Sequence, residues 1–138
     1  MNTEIKILRL DPSERDYSEQ IFRLYLFEGW AREGDDSSKI TAALKNSRAA
    51  FGAFDGEKMV GFFRALSDGV SDAYLLDLIV DPQYRGRGIA SALVKSVLDY
   101  LKAEKIEWIV CVSTPAAEGV YKKFGGQMMA GHVPMRFV

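Results

Sequence analysis

Leu75-Leu76-Asp77-Leu78-Ile79-Val80-Asp81-Pro82-Gln83-Tyr84-Arg85-Gly86-Arg87-Gly88-Ile89-Ala90 is the stretch whose reading decides the fold. Leu75 to Val80 is a short, nearly continuous apolar run, the pattern of a strand buried on both faces. Asp81-Pro82 ends it, because proline brings no N–H to a ladder. From Ile89 onward apolar residues recur at Ala90, Leu93, Val94, Val97, Leu98 and Leu101, while Ser91, Lys95, Ser96, Asp99 and Lys102 take the opposite face. That spacing predicts an amphipathic helix. The stretch reads as strand, glycine-bearing loop, helix.

Gly86 and Gly88 stand where the helix begins, so the backbone there can approach a ligand closely. The first-turn N–H groups of a helix have no carbonyl partner inside it, and the aligned peptide dipoles place about half a positive charge at that end. Arg85 and Arg87 add whole charges beside it. The natural guest is a phosphate or pyrophosphate. A mononucleotide loop needs Gly-Lys-Ser/Thr after its glycines, which is missing, and the dinucleotide fingerprint needs a third glycine where Ser91 stands.

Arg85, Gly88 and Ala90 form Arg-x-x-Gly-x-Ala, which closely resembles the (Gln/Arg)-x-x-Gly-x-(Gly/Ala) signature of the GCN5-related N-acetyltransferases, the GNAT family. In that family the signature binds the pyrophosphate of acetyl-coenzyme A. The resemblance covers most of the chain, from an N-terminal strand and helices to a late Ala117-x-x-x-Tyr121-x-x-x-Gly125 segment. It implies an α+β fold with a mixed, mostly antiparallel central sheet flanked by helices. It also implies that the fourth and fifth strands splay apart to leave a slot for the pantetheine arm. The backbone of Leu78, Ile79 and Val80 would pair with the pantetheine amides there, and Arg85 to Ala90, with Ser113 and with Tyr121 at the coenzyme sulfur, would complete the cofactor site.

The 138 residues, 48% of them hydrophobic, are enough for one domain with a proper core, so residues 1–138 are expected to be a single acetyltransferase domain. A net charge of −1 argues against a nucleic-acid or membrane-surface partner. No signal peptide or membrane span is legible, and a cytoplasmic location is expected. Cys111, the one cysteine, lies in an apolar run and reads as a small buried hydrophobe. No metal site is expected.

In chain order, Asn2 to Leu10 reads as a first strand, and Asp11-Pro12-Ser13-Glu14 as the start of a helix running to about Phe27, closed by Gly29. A weaker helix follows from Ser37 or Ser38 to Lys45. Ala49–Phe54 and Met59–Leu66 read as a hairpin across Asp55-Gly56. Ile106–Val112 reads as another strand, and Thr114-Pro115 as the start of a short helix ending at Gly125-Gly126. Gln127–Ala130 and His132–Val138 are expected to be closing strands. Their exposed edges would suit a homodimer.

Amide formation from a thioester needs a neutral amine, a held carbonyl and a proton for the leaving thiolate. The resemblance implies Tyr121 as the general acid and Asp77 as the group that takes the proton or attracts the cation. Asp77 reads equally as a structural acceptor for Arg64. Asp68 and Asp72 are fallback bases, and His132, in a terminal segment, reads as a surface or interface residue. The resemblance makes the first two helices and their connecting loop the roof of an acceptor cleft, where Glu28 and Trp30 would touch substrate. Trp30 as a core plug is the competing reading. Acids at Glu28, Glu33, Asp35, Asp36, Asp68 and Asp72 would favour a small cationic amine if several of them border the cleft.

Two departures from the family pattern leave acceptor recognition open: Gly125-Gly126 stands where Gly-Phe is usual, and Ser113 where many members carry asparagine. The competing functions are a protein lysine or N-terminal acetyltransferase, a non-catalytic coenzyme A sensor of the same fold, and a nucleotide-binding module.

Overall fold

The computed structural model describes residues 4–138. Five strands form one sheet in sequence order: β1 (Ile5–Arg9), β2 (Ala49–Asp55), β3 (Lys58–Ser67), β4 (Asp72–Val80) and β5 (Trp108–Cys111). The first four pair antiparallel and β5 runs parallel to β4. Helices α1 (Ser18–Glu28) and α2 (Ser38–Lys45) precede the β2–β3 hairpin. Helix α3 (Ile89–Ala103) links β4 to β5, and α4 (Pro115–Lys123) follows β5. The α+β sheet with flanking helices is as expected.

Alternation along β3, shifted by one residue where the register with β2 slips at Val60, splits the interior into two cores. Phe63 joins Val60, Leu93, Val94, Val97 and Leu101 under α3, while the adjacent Phe62 joins Ile21, Leu24, Met59 and Ile79 under α1. Each of these phenylalanines is fully buried, which contributes about 1.5–3 kcal/mol per side chain. Gly61 lets α3 settle on the sheet, since a Cβ there would lie 3.0 Å from Leu93 Cδ1 and 3.1 Å from Ile89 Cγ2. That close approach fixes the start of α3, and with it the glycine loop.

β4 carries a bulge. Phe62 pairs with Ile79 and Arg64 with Leu76, so three steps along β4 answer two along β3. The extra residue falls at Asp77-Leu78, and Asp77 takes φ 64°, a conformation that aspartate tolerates better than most side chains. Pairing of β4 with β5 covers only Asp72 to Leu75. Beyond Leu75 the two strands part, as the splayed-strand expectation requires.

Two expectations fail. Helix α1 begins at Ser18, not near Asp11: Asp11 instead accepts hydrogen bonds from Ser13 N and Oγ in a tight turn, and Asp16 Oδ1 takes the Ser18 N–H at the true helix start. The closing strands over 127–130 and 132–138 do not form. Gly125 and Gly131 sit at positive φ, and among the described residues the only backbone bond in this tail is His132 N to Met129 O. Apolar alternation makes a strand only where the segment pairs with a sheet edge, and residues 127–138 pair with none.

Candidate active site

The parting of β4 and β5 opens a cleft of about 640 Å³, walled by the end of β4, the glycine loop, the first turn of α3, and α4. Leu78, Val80, Gly86, Gly88, Ile89, Ala90 and Ser113 line it as expected. Ile79 and Arg87 do not. The Ile79 side chain is 1% exposed and belongs to the core under α1. Arg87 lies over the Tyr84 ring at 4.8 Å, and its Nη2 donates to Gln83 O at 3.4 Å.

The loop fits an anion. Asp81 and the 3₁₀ turn Pro82–Tyr84 end the strand, with Asp81 Oδ1 accepting the Gln83 N–H at 2.9 Å. Among the described residues, no acceptor is recorded for the N–H groups from Gly86 to Ala90. Gly86 and Gly88 have φ of 79° and 78°, and a Cβ on either would meet nothing within 4 Å, so the space above the loop is open. Unpartnered N–H groups at a helix start facing open space can hold an anion.

Arg85 was expected to add its charge to that loop, but its side chain is otherwise engaged. Nε donates to Val80 O at 3.2 Å and Nη2 to Glu28 Oε1 at 3.1 Å. Glu28, the last residue of α1, does line the cleft, but as an ion-pair partner of the loop. Trp30 also lines it; half exposed, its ring stands edge-on to Tyr25 at 5.7 Å, so it is not a core plug.

Asp77 lines the cleft from the bulge. Its Oδ2 accepts from Tyr25 Oη and from Arg64 Nε, both at 2.7 Å, which leaves Oδ1 with no recorded partner among the described residues. Burial first, and then the Asp77 carboxylate, push the Tyr25 hydroxyl well above the usual tyrosine range, so it acts as a donor. Arg64 passes the chain on through Nη1 to Ser47 Oγ at 3.2 Å. Tyr25 was missed in the sequence; a hydroxyl on the inward face of an apolar helix was the available signal, because a buried phenol needs a partner.

Tyr121 faces the same cleft from α4, its ring 6.2 Å from Phe63. Burial, reinforced by Cys111 and Tyr74, pushes its hydroxyl above the ordinary range. No hydrogen bond of that hydroxyl is recorded among the described residues. Gly126 lies directly behind it: its N–H donates to Tyr121 O at 2.9 Å, and a Cβ there would come within 2.8 Å of the same oxygen. The glycine at this departure from the family pattern is therefore required by the backbone.

The remaining acids do not gather at the cleft. Asp68 accepts the N–H groups of Val70, Ser71 and Asp72, which hold its carboxyl far below the usual range and make it the organiser of a turn. Asp35 and Asp36 accept the backbone N–H groups of Arg32 and Ser38. Of the six acids named in the sequence only Glu28 lines the cleft, joined there by Asp77, so the condition that several of the six border it is not met.

A model of the Acetyltransferase (GNAT) family matches residues 12–126. The uncharacterized N-acetyltransferase ycf52 of Pyropia yezoensis is 29% identical over 101 residues, 70% of this chain and 57% of that protein. A histone acetyltransferase of Glycine max is 32% identical over 108 residues, 70% of this chain and 46% of its own. The chain thus spans about half the length of these curated relatives. Among solved structures, a GNAT family acetyltransferase of Streptococcus pneumoniae TIGR4 superposes with a TM-score of 0.81 at 27% identity, covering 98% of both chains.

Proposed function

The chain belongs to the Acetyltransferase (GNAT) family, and on that premise we propose that residues 1–138 act as one acetyl-CoA-dependent N-acetyltransferase domain. The proposed acceptor is the primary amine of a small cationic molecule. The observation that carries this is a single cleft faced by the free N–H groups of the glycine loop, the parted edge of β4 and the Tyr121 hydroxyl.

The residues divide the work. The loop N–H groups hold the pyrophosphate, and the unpaired edge of β4 from Leu76 to Val80 offers backbone partners to the pantetheine amides. Asp77 Oδ1 attracts the ammonium and receives its proton, directly or through water. The amine nitrogen then attacks the thioester carbonyl carbon, the carbon–nitrogen bond forms and the carbon–sulfur bond breaks. Tyr121 gives its proton to the departing sulfur and regains one from the amide nitrogen. The balance is one ammonium and one thioester to one amide, one thiol and one proton. Holding the two reactants in line supplies about 7–11 kcal/mol of the barrier lowering.

The test is thiol release from acetyl-CoA against polyamines, arylalkylamines, aminoglycosides, amino acids and lysine peptides, with coenzyme A binding followed by calorimetry. Turnover on a small amine supports the proposal. Turnover confined to lysine peptides would move the acceptor to protein, in keeping with the histone acetyltransferase among the relatives. Coenzyme A binding with no turnover would leave a sensor, and no binding would refute the reading.

The working unit is proposed to be a homodimer in the cytoplasm, where an unpaired cysteine such as Cys111 is at home. No helix among the described residues is long and apolar enough to cross a membrane. What supports the dimer is exposed apolar surface together with an open sheet edge. Met128, Val133, Met135 and Phe137 in the tail are exposed, and so is Trp108 on β5, whose outer edge has no partner strand. A second copy supplies both halves of such a pairing. Light scattering of the full chain against one ending at Gly126 tests it: a monomeric full chain refutes it.

A further inference from the structure

Glu28 and Arg85 carry opposite charges into the mouth of the same cleft, on two different elements. A carboxylate lining a pocket built for a polyanion opposes its guest. In the free protein that charge is masked by Arg85, and Arg85 is in turn held away from the loop by Glu28 Oε1 at 3.1 Å and Val80 O at 3.2 Å. The two side chains are 34% and 54% exposed. A pair so open to water stabilises the fold little and exchanges partners easily.

We propose that Glu28 competes with the bound anion for Arg85, and so couples the two halves of the cleft. Resting on the reading that this cleft takes coenzyme A, the exchange works as follows. The entering pyrophosphate takes the Arg85 guanidinium, which forms stronger bonds to phosphate than to a single carboxylate oxygen. Glu28 is left as a free carboxylate at the end of α1, beside Trp30, where it meets a cationic acceptor. Cofactor binding thereby creates part of the acceptor site, and by linkage a bound cation tightens the cofactor. When the cation is neutralised by acylation, Glu28 returns to Arg85 and the spent cofactor is loosened.

Calorimetric titration with coenzyme A, and separately with inorganic pyrophosphate, tests this on wild type, Glu28→Gln, Arg85→Gln and the double variant, each first shown to melt as a folded protein. Glu28→Gln frees Arg85 without changing side-chain shape, and the expected result is binding of both probes about two- to fivefold tighter than wild type, the size of an exposed ion pair. Most of that gain disappears in the Arg85→Gln background and at high salt. Unchanged or weaker binding in Glu28→Gln overturns the proposal, as does a gain that persists undiminished without Arg85. Failure of coenzyme A to bind wild type counts against the functional reading alone if pyrophosphate still binds and still responds to Glu28→Gln. Failure of both probes overturns both.

Discussion

Replacing Tyr121 by phenylalanine removes one hydroxyl and keeps the ring. The ring packs 6.2 Å from Phe63, a contact the substitution retains, and the hydroxyl has no recorded hydrogen bond within the described chain. Folding stability should therefore change by under about 1 kcal/mol. Cofactor affinity should not move, since the loop proposed to hold the pyrophosphate lies on another element. The loss falls on kcat: withdrawing a positioned proton donor costs about a hundredfold, or about 2.7 kcal/mol of barrier.

The sign of the pH dependence follows from burial, which with Cys111 and Tyr74 pushes the Tyr121 hydroxyl up. A raised value keeps the proton in place at neutral pH, so loss of the acid form begins only above the ordinary tyrosine value of about 10. Single-turnover thiol release gives the chemical step directly. A donor thioester with a more acidic leaving thiol needs less help, so the Tyr121→Phe defect should shrink on it. A variant whose kcat stays within about threefold of wild type on acetyl-CoA, with unchanged coenzyme A affinity, would refute the assignment.

Asp77→Asn strips the anionic partner from an Arg64 guanidinium that is 14% exposed; the expected loss in urea unfolding is about 1–3 kcal/mol, discounted from the fully buried case, and a loss below about 0.5 kcal/mol contradicts the network. Tyr25→Phe removes one hydrogen bond to the same carboxylate and should cost about 1–2 kcal/mol, with a smaller combined effect in the double variant than the sum of the two singles. For Asp81, burial raises the carboxyl, but the Gln83 N–H, Arg23 and Lys58 outweigh it and the net shift is downward. Its stabilising contribution is thus complete above the unfolded carboxylate value near 4 and is lost as pH falls through the folded one, so Asp81→Asn should flatten the acid limb of the stability curve. Gly126→Ala forces a Cβ to within 2.8 Å of the Tyr121 carbonyl oxygen; α4 must shift to relieve it, and kcat should fall while coenzyme A affinity holds.

The glycine loop was legible because its signals are local: an apolar strand run, a proline stop, two glycines and a 3.6-residue stripe all lie within one stretch. Start of α1 was not, because Asp11-Pro12-Ser13 satisfies the chemistry of a tight turn as well as that of a helix cap. The true N-cap is Tyr17, which brings no capping side chain, and Asp16 beside it takes the Ser18 N–H. The tail failed for a different reason. Alternating apolar residues declare a face, but a strand also has to pair, and within the described chain residues 127–138 pair with neither edge strand, β1 or β5. Side-chain partners were the least legible. Nothing in the spacing of Glu28 and Arg85, 57 residues apart, says that they meet, or that Arg85 turns from the loop it was assigned to. Asp77 with Arg64 was within reach because both lie on neighbouring strands; Tyr25 completes the set from a helix.

The bulge at Asp77 ties fold and site together. An added residue in β4 bends the strand just past the point where its pairing with β5 stops, at Leu75. The bend that parts the strands is therefore what opens room for a ligand along β4. That conformation is unfavourable for a residue with a side chain, costing about 1–2 kcal/mol at a positive φ. Glycine would relieve the strain, yet it would bring no carboxylate. Aspartate holds the bend through Oδ2, clamped by Tyr25 from α1 and Arg64 from β3, while Oδ1 has no recorded partner beside the opening. The clamp joins α1, the sheet and the slot at one carboxylate. Displacement of α1 by an acceptor would therefore be felt at Asp77 through the Tyr25 hydroxyl that it holds.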